Sequence, residues 1–317
     1  MSKTAIFRLV IGFFLAFCLN SVFAATIASE EGVITATAEG TSPTVEDEMA
    51  SGTTVGTPTT IVVLRGGKQS VPLSVKSQPV IFKVTDEHGN PVSGVHVNFA
   101  LQRNGSPVAS TGLSSTTGVS NAGGVVSTRV QPTTVTGAYT VTAIVSDNLS
   151  LTASATLKVT ASLPSLGNGA GVGRDGKSEQ TGSLFGGGFS VNDGEFVKKG
   201  KQKLSDSCLV QGIITTDSAD VGKQVDLIVV AAYVIPELNF SAFFVLDEVK
   251  GVVAWDLDMA TLTAFKSDET LEDKQIVTIY DGQFVATGQL LVFYGYRLPN
   301  GKVVFNAEQV LDITIDP

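Results

Sequence analysis

The chain has 317 residues, of which 43% are hydrophobic and 16% are charged, and its formal charge is −9 at pH 7. An acidic chain repels the phosphates of nucleic acids and the headgroups of anionic lipids, so neither is an expected partner.

Residues 1–24 have the pattern of a secretory signal peptide. Lys3 and Arg8 precede an apolar run over residues 9–19. Val22-Phe23-Ala24 then places tolerated small or aliphatic side chains before a cleavage site. A transmembrane helix is the alternative, but the run is shorter than the roughly 20 residues that a bilayer span needs. We therefore expect an exported protein, periplasmic, secreted or at the cell surface, with no transmembrane span after cleavage.

Cleavage of this segment leaves Cys208 as the single cysteine. Cys18 is lost, and its use for lipid attachment is disfavoured because Phe17 precedes it where a small side chain is needed. Cys208 is followed by the apolar pair Leu209-Val210, so we expect a buried structural thiol. Loss of the two basic residues of the signal peptide also moves the formal charge from −9 to about −11.

Residues 25–57 are rich in Thr, Ser, Glu and Gly, which predicts a flexible leader.

Residues 58–160 alternate short apolar segments with turn residues, at the spacing of an all-β sandwich. The clearest pair of strands spans residues 137–160, an antiparallel hairpin that turns at Ser146-Asp147-Asn148. Two further inward-facing sets are Val80, Phe82 and Val84, and Val95, Val97 and Phe99.

The segments VTDEHGNPVSGVHVNFAL, STTGVSNAGGVVSTRV and GAYTVTAIV follow one another within residues 58–160. They resemble the successive strands of a bacterial immunoglobulin-like domain of the intimin and invasin group. The resemblance implies a seven-stranded or similar sandwich that serves as a rigid spacer or display module in cell-surface and secreted bacterial proteins. It also implies that Tyr139 forms a tyrosine corner, with its hydroxyl available to the backbone.

Residues 161–203 are rich in glycine, which predicts a flexible linker between two folded parts that are not rigidly docked.

Residues 204–317 return to β-like alternation and predict a second all-β domain, a sandwich or a meander. Its predicted strands are Gln224–Val234, Phe240–Leu246, Gln275–Tyr280, Gln289–Leu298 and Lys302–Asn306, with a last strand in QVLDITIDP. Asp281-Gly282 and Asn300-Gly301 predict tight hairpin turns, because these residues accept positive φ angles.

The segment Gly171-Val172-Gly173-Arg174-Asp175-Gly176-Lys177-Ser178 matches the phosphate-binding loop pattern. In that loop Lys177 approaches the terminal phosphates and Ser178 binds magnesium. Phe243 to Glu248 has the apolar strand ending in acids that would complete a nucleotide site. A working loop follows a buried strand and opens a helix, and the flanks LPSLGNGA and EQTGSLFGGG supply neither. We therefore expect no nucleotide or other cofactor.

The remaining titratable residues predict neither a metal site nor a catalytic site. His88 lies in a turn and His96 at an outward strand position, with no cysteine nearby. Asp256, Asp258 and the acidic loop 267–273 offer oxygen ligands, but they lack the glycine and the ligand spacing of a calcium loop.

Aromatic residues of the last domain predict a core, with a ligand-stacking surface as the alternative. Tyr294 and Tyr296 share one face of their strand and Phe293 takes the other. These aromatic residues include Trp255, Phe265, Tyr280, Phe293, Tyr294 and Tyr296.

These features favour an exported, non-enzymatic bacterial envelope or surface protein that uses an immunoglobulin-like module as a spacer or display unit for adhesion or protein–protein interaction. Its partner is then a protein or glycan of the cell envelope or exterior. The alternative is a carbohydrate-binding or hydrolytic C-terminal domain. That alternative requires a cleft in which Asp247, Glu248, Asp256 and Asp258 converge.

Overall fold

The computed structural model describes residues 56–131, 133–235 and 240–317. The predicted signal peptide, with Cys18, and the predicted leader up to residue 55 lie outside the described residues. Thr57–Pro317 form one compact unit built of strands and turns, so the all-β prediction is confirmed. Among the described residues, no helix is long and apolar enough to cross a membrane.

Residues 60–160 form two sheets that share one core, in an immunoglobulin-like sandwich. Their strands are β1 (Thr60–Arg65), β2 (Lys68–Pro72), β3 (Val80–Thr85), β4 (His96–Arg103), β5 (Ser106–Pro107), β6 (Thr117–Val119), β7 (Val125–Thr128), β8 (Gly137–Val145) and β9 (Asn148–Thr160). One sheet has the order β1-β3-β7. The other has the order β2-β9-β8-β4-β5, with β6 beside β4.

The predicted hairpin and the two inward-facing sets are confirmed. Strands β8 and β9 pair antiparallel, with Val141 opposite Ala155, and their alternate side chains enter the core because side chains of a strand alternate between its faces. Across the sandwich, the rings of Phe82 and Phe99 lie 5.8 Å apart. Tyr139 is buried, and its hydroxyl donates to the carbonyl of Val135 at 3.0 Å, as the tyrosine-corner expectation requires.

Residues 165–316 form one large sheet. Its strands are β10 (Ser165–Val172), β11 (Ser178–Glu179), β12 (Leu184–Val191), β13 (Lys199–Lys203), β14 (Cys208–Thr215), β15 (Gln224–Ile235), β16 (Phe240–Asp247), β17 (Gly251–Trp255), β18 (Lys266–Thr270), β19 (Lys274–Gly282), β20 (Gly288–Arg297), β21 (Val303–Asn306) and β22 (Leu311–Asp316). The main order is β17-β16-β15-β20-β21-β10-β12-β14-β19. Off this path, β11 pairs with β10, β18 with β15, and β22 with both β20 and β13.

The sheet folds back on itself around a single core. Residues from both ends of the strand order contribute to it, among them Leu166, Ile214, Leu227, Tyr294 and Ile313. The five predicted strands of this region are all present, and the predicted last strand corresponds to β22. Asn300-Gly301 forms a hairpin turn between β20 and β21, with φ of 88° at Gly301. The turn predicted at Asp281-Gly282 is wrong, because both residues continue β19 and pair with β14.

The flexible linker predicted for residues 161–203 is also wrong, because the region contributes strands β10 to β13. Its glycines serve close packing. A Cβ at Gly187 would lie 3.0 Å from the hydroxyl oxygen of Tyr294, and a Cβ at Gly212 on the adjacent strand would lie 2.4 Å from carbons of the same ring. The glycine-rich composition therefore provides space for a buried tyrosine, which a composition count does not reveal.

The sandwich and the large sheet are in direct contact, contrary to the prediction that they are not rigidly docked. Gln211 is fully buried, and its side-chain amide donates to the carbonyl of Ser70 at 2.7 Å. Ile276, on β19, joins the hydrophobic core of the sandwich. An ion pair between Arg129 and Glu272 adds a third link.

Candidate interaction surface

The phosphate-loop match lies on a hairpin. Strands β10 and β11 pair on either side of it, and the amide of Gly173 donates to the carbonyl of Lys177 at 2.8 Å. The Lys177 ammonium lies 2.8 Å from the Asp175 carboxylate on the exposed surface, and this pairing lowers the pKa of Asp175. A strand follows where a helix is required, so the hairpin lacks the field that holds phosphate.

The two histidines are not brought together. His88 is exposed in a turn where its backbone amide donates to Asp86 at 2.9 Å. His96 is exposed at the start of β4. Within the described ranges, no group of three or more His, Cys, Asp or Glu side chains is placed to hold a metal ion.

The C-terminal carboxylates bind to their own loops. Asp247 accepts the backbone amides of Lys250 at 2.8 Å and Val249 at 2.9 Å, which lower its pKa. Asp256 accepts the hydroxyl of Thr261 at 2.6 Å, which lowers its pKa. Asp247 ends β16 and Asp256 directly follows β17, so each closes a separate turn.

The two neighbouring acids, Asp258 and Glu248, also accept backbone amides. Asp258 accepts the amide of Ala260 at 2.9 Å, and Glu248 accepts the amide of Ser267 at 3.0 Å. Each of these four carboxylates therefore accepts hydrogen bonds from a turn or strand beside it. The acidic loop 267–273 is divided between strand β18 and the Arg129 ion pair of Glu272.

Most of the aromatic set belongs to the interior, as expected. Tyr294, Tyr296 and Trp255 are buried, and Phe265 and Tyr280 are partly buried against the same core. Burial raises the pKa of both tyrosines above its ordinary value, and the Tyr296 hydroxyl lies 2.8 Å from a carboxylate oxygen of Asp220. Cys208 is buried, as predicted, and burial raises the pKa of its thiol to about 12.

An exposed apolar face lies on the outer strands of the large sheet. It is formed by side chains of β15, β16 and β17 that share one side of the pleat, and we call it the β16 face. Its members are Ile235, Phe240, Ala242, Phe244, Val252 and Ala254. Phe240 is 47% and Val252 is 69% exposed. Ala254 is exposed as well, whereas Ile235, Ala242 and Phe244 are half-buried. A partly exposed apolar face without a charged member is typical of an interaction surface.

The opposite side of the same strands is covered. Val245 and Trp255 point there and are buried. The indole N–H of Trp255 donates to the carbonyl of Asp258 at 2.9 Å, which holds the following loop on that side. On the side of the β16 face, Leu246 packs against the core of the large sheet, and the exposed members are Phe240, Val252 and Ala254.

Strand β17 is the edge of this sheet. Among the residues that the structure describes, β17 pairs in the sheet with β16 alone. Its sequence, Gly-Val-Val-Ala-Trp, has no charged residue. Proteins usually protect such edges with charges, and β13 follows that rule with exposed Lys199, Lys201 and Lys203.

Sequence reasoning placed β16 but missed β17 and the surface that the two strands form. The signal was present, because VVAW is short and apolar and is preceded by the turn residue Gly251. The alternation of side chains along β16 and β17 does not reveal which of the two apolar sides of these strands is covered by the loop that follows Trp255.

Neither a protein-family model nor a curated protein sequence matches the chain. Among solved structures, the Escherichia coli adhesin FdeC matches 83% of this chain at 15% identity, with a TM-score of 0.26. The Yersinia pseudotuberculosis adhesin InvE matches 84% at 14% identity, with a TM-score of 0.24. Domains 5-6 of the S-layer protein SbsC match 82% at 14% identity, with a TM-score of 0.28.

The chain spans 65% of the FdeC chain, 62% of the InvE chain and 99% of the SbsC fragment. TM-scores of this size carry no argument about function. The class of protein rests on the chain's own strands: an all-β protein with an immunoglobulin-like sandwich docked on a second, larger sheet.

Proposed function

We propose that the chain is an exported, non-enzymatic bacterial envelope or surface protein that works by protein–protein contact. In this proposal the immunoglobulin-like sandwich is a spacer. The large sheet docked on it presents the β16 face to a partner. The observation that carries the proposal is the β16 face itself, an apolar surface with an uncharged edge strand beside it.

The docked arrangement supports this role. The buried Gln211 amide and the Arg129–Glu272 ion pair tie the sandwich to the sheet. A surface held on a rigid support loses less conformational entropy on binding than one at the end of a flexible chain.

Location is tested by cysteine labelling on cells. Val285 is 96% exposed, so Val285→Cys provides a reactive site, whereas Cys208 is buried and serves as the internal control. Labelling of intact cells by a membrane-impermeant maleimide places the sheet outside. Labelling only after outer-membrane permeabilisation places it in the periplasm. Recovery of the chain with its N-terminal segment in the cytoplasm would refute export.

The contact role is tested with Phe240→Ser in the exported protein. We expect reduced adherence of expressing cells to one another or to protein-coated surfaces. The matched control is Leu149→Ser, because Leu149 is 72% exposed but belongs to the sandwich. Equal adherence of wild type and both variants would contradict the proposal.

A further inference from the structure

We propose that strand β13 is a detachable strap, which leaves the edge of β22 while the rest of the large sheet stays folded. All 5 residues of β13 pair in parallel with β22. The inference concerns a movement within the fold, and it depends neither on the β16 face nor on a binding partner. Its basis is the weakness of the contacts that hold β13 in place.

The core side of β13 carries no large apolar side chain. Residues paired across two strands point to the same side of the sheet. Gly200 therefore lies beside Ile313, and Gln202 lies beside Ile315. Both isoleucines are buried in the core of the large sheet. Burial of apolar area thus anchors β22 in the sheet but contributes little to holding β13.

Gln202 adds a polar group to this interior. The residue is 4% exposed, and within the described ranges neither its side-chain nitrogen nor its side-chain oxygen has a hydrogen-bond partner. A buried amide without partners destabilises the state that buries it. When β13 leaves the sheet, water reaches this amide, so opening removes a cost that the closed state carries.

The outer side of β13 is held by ion pairs that face solvent. Lys199 contacts the carboxylate of Asp312, and the Lys201 ammonium lies 3.4 Å from the carboxylate of Asp316. The two lysine side chains are 56% and 72% exposed. Such exposed pairs contribute little to stability, because water screens the charges. They favour the observed register of β13 on β22 but hold the strand weakly.

The residues on either side of β13 set the length of the strap. Before it, Phe196 is buried, and Val197 exchanges two backbone hydrogen bonds with Phe189 on β12. After it, the Leu204 amide donates to the carbonyl of Asp316 at 3.1 Å, and the Leu204 side chain is partly buried. We expect opening to begin at the Leu204 end, because its side chain is less buried than that of Phe196.

Strand β22 stays in the sheet when β13 opens, because β22 also pairs with β20. Successive amides along a strand point to opposite neighbours. The Asp312 amide donates to the carbonyl of Lys198, directly before β13, at 2.9 Å. The Thr314 amide therefore also points to β13, whereas the Ile313 amide points to β20. Opening of β13 exposes the first of these two amides to solvent and leaves the second in its hydrogen bond.

Amide hydrogen exchange tests the proposal. It is measured residue by residue by NMR on the chain purified from cells, and each rate is corrected for the intrinsic rate of that amide. We expect the Thr314 amide to exchange at least about tenfold faster than the Ile313 amide. Equal corrected rates would overturn the proposal, because the two sides of β22 would then open together.

A variant tests the role of Gln202. Gln202→Val replaces the unpartnered amide with an apolar side chain, so we expect exchange of the Thr314 amide to slow by about tenfold while that of Ile313 changes less than about threefold. Lys203→Val is the matched control, because it introduces the same β-branched residue at an exposed position of β13. Slowing of Thr314 by both variants to the same extent would show that Gln202 does not weaken the strand. The comparison of Thr314 with Ile313 in wild type remains decisive if Gln202→Val does not fold.

Discussion

The guanidinium of Arg129 lies 2.5 Å from the carboxylate of Glu272, so an ion pair joins the immunoglobulin-like sandwich to the large sheet. Arg129 also donates to the carbonyl of Ser77 at 3.1 Å. The two side chains are 24% and 15% exposed, which reduces screening by solvent. Removal of one partner therefore leaves a partly buried charge without its counter-charge.

Arg129→Met is expected to lower the free energy of unfolding by about 1–3 kcal/mol, because hydrogen bonds to charged groups contribute about this much. Urea denaturation followed by circular dichroism measures the change. The control is Lys177→Met, whose ion pair with Asp175 is 82% and 56% exposed and should contribute less than about 1 kcal/mol. Equal losses for the two variants would show that the inter-module ion pair has no special role.

Gly212→Ala is expected to destabilise the large sheet by about 1–3 kcal/mol through overpacking. Its Cβ would lie 2.4 Å from two ring carbons of the buried Tyr294, which has no free space to move into. Gly123→Ala is the control, because Gly123 lies in an exposed turn and its Cβ would come no closer than 3.3 Å to Asn121. If the midpoints of thermal unfolding of the two variants coincide, the close approach of Tyr294 is not a constraint.

The Asp217 carboxylate binds two backbone amides, and the stability that it contributes to the fold depends on pH. Its carboxylate accepts the amides of Ala219 at 3.1 Å and Gly182 at 2.7 Å, and these bonds lower its pKa below the ordinary 3.8. A lowered pKa in the folded state means that the carboxylate stabilises the fold above its unfolded pKa, and that this contribution is lost as pH falls through the folded pKa.

The difference in stability between wild type and Asp217→Asn should therefore be largest at pH 6 to 7 and should shrink as the pH drops below the ordinary value of 3.8. Urea denaturation at a series of pH values measures it. A difference that stays constant down to pH 2.5 would mean that the charge of Asp217 is not involved.

Cys208 is expected to be unreactive in the folded protein. Its thiol is buried and its pKa is raised to about 12, so the reactive thiolate is scarce at pH 8. Labelling with iodoacetamide, read by mass spectrometry of the peptide that contains Cys208, should be slow in buffer and complete in guanidinium chloride. Rapid labelling in buffer would indicate that strand β14 opens readily.

Alternation along the chain was sufficient to predict the strands that pair locally. The hairpin of β8 and β9 was readable because Tyr139, Val141 and Ala143 alternate with polar residues over one buried side. The β20 to β21 hairpin was readable because Asn300-Gly301 accepts the backbone of a tight turn. Both depend on neighbours in sequence.

The wrong predictions concern segments whose structure depends on residues far away in the sequence. The glycines of residues 161–203 predict flexibility by composition. Yet Gly187 of this region and Gly212 on the adjacent strand leave space for the ring of Tyr294, which lies far along the chain. Asp281-Gly282 has the composition of a turn, but pairing with Cys208 and Leu209 keeps it in a strand. No local pattern contains that information.

The sequence by itself determined the all-β class, the sandwich strands β3, β4, β8 and β9, and the burial of Cys208 and of Tyr294 and Tyr296, because side-chain alternation and apolarity are properties of adjacent residues. Only the tertiary structure decided that the glycine-rich region belongs to the large sheet, that this sheet docks on the sandwich, and that β17 lies beside a partly exposed apolar face. Those outcomes depend on which strands pair when they are far apart in the sequence. The pairing is made by backbone amides and carbonyls, which are common to nearly all residues, so the sequence does not identify the partner strand.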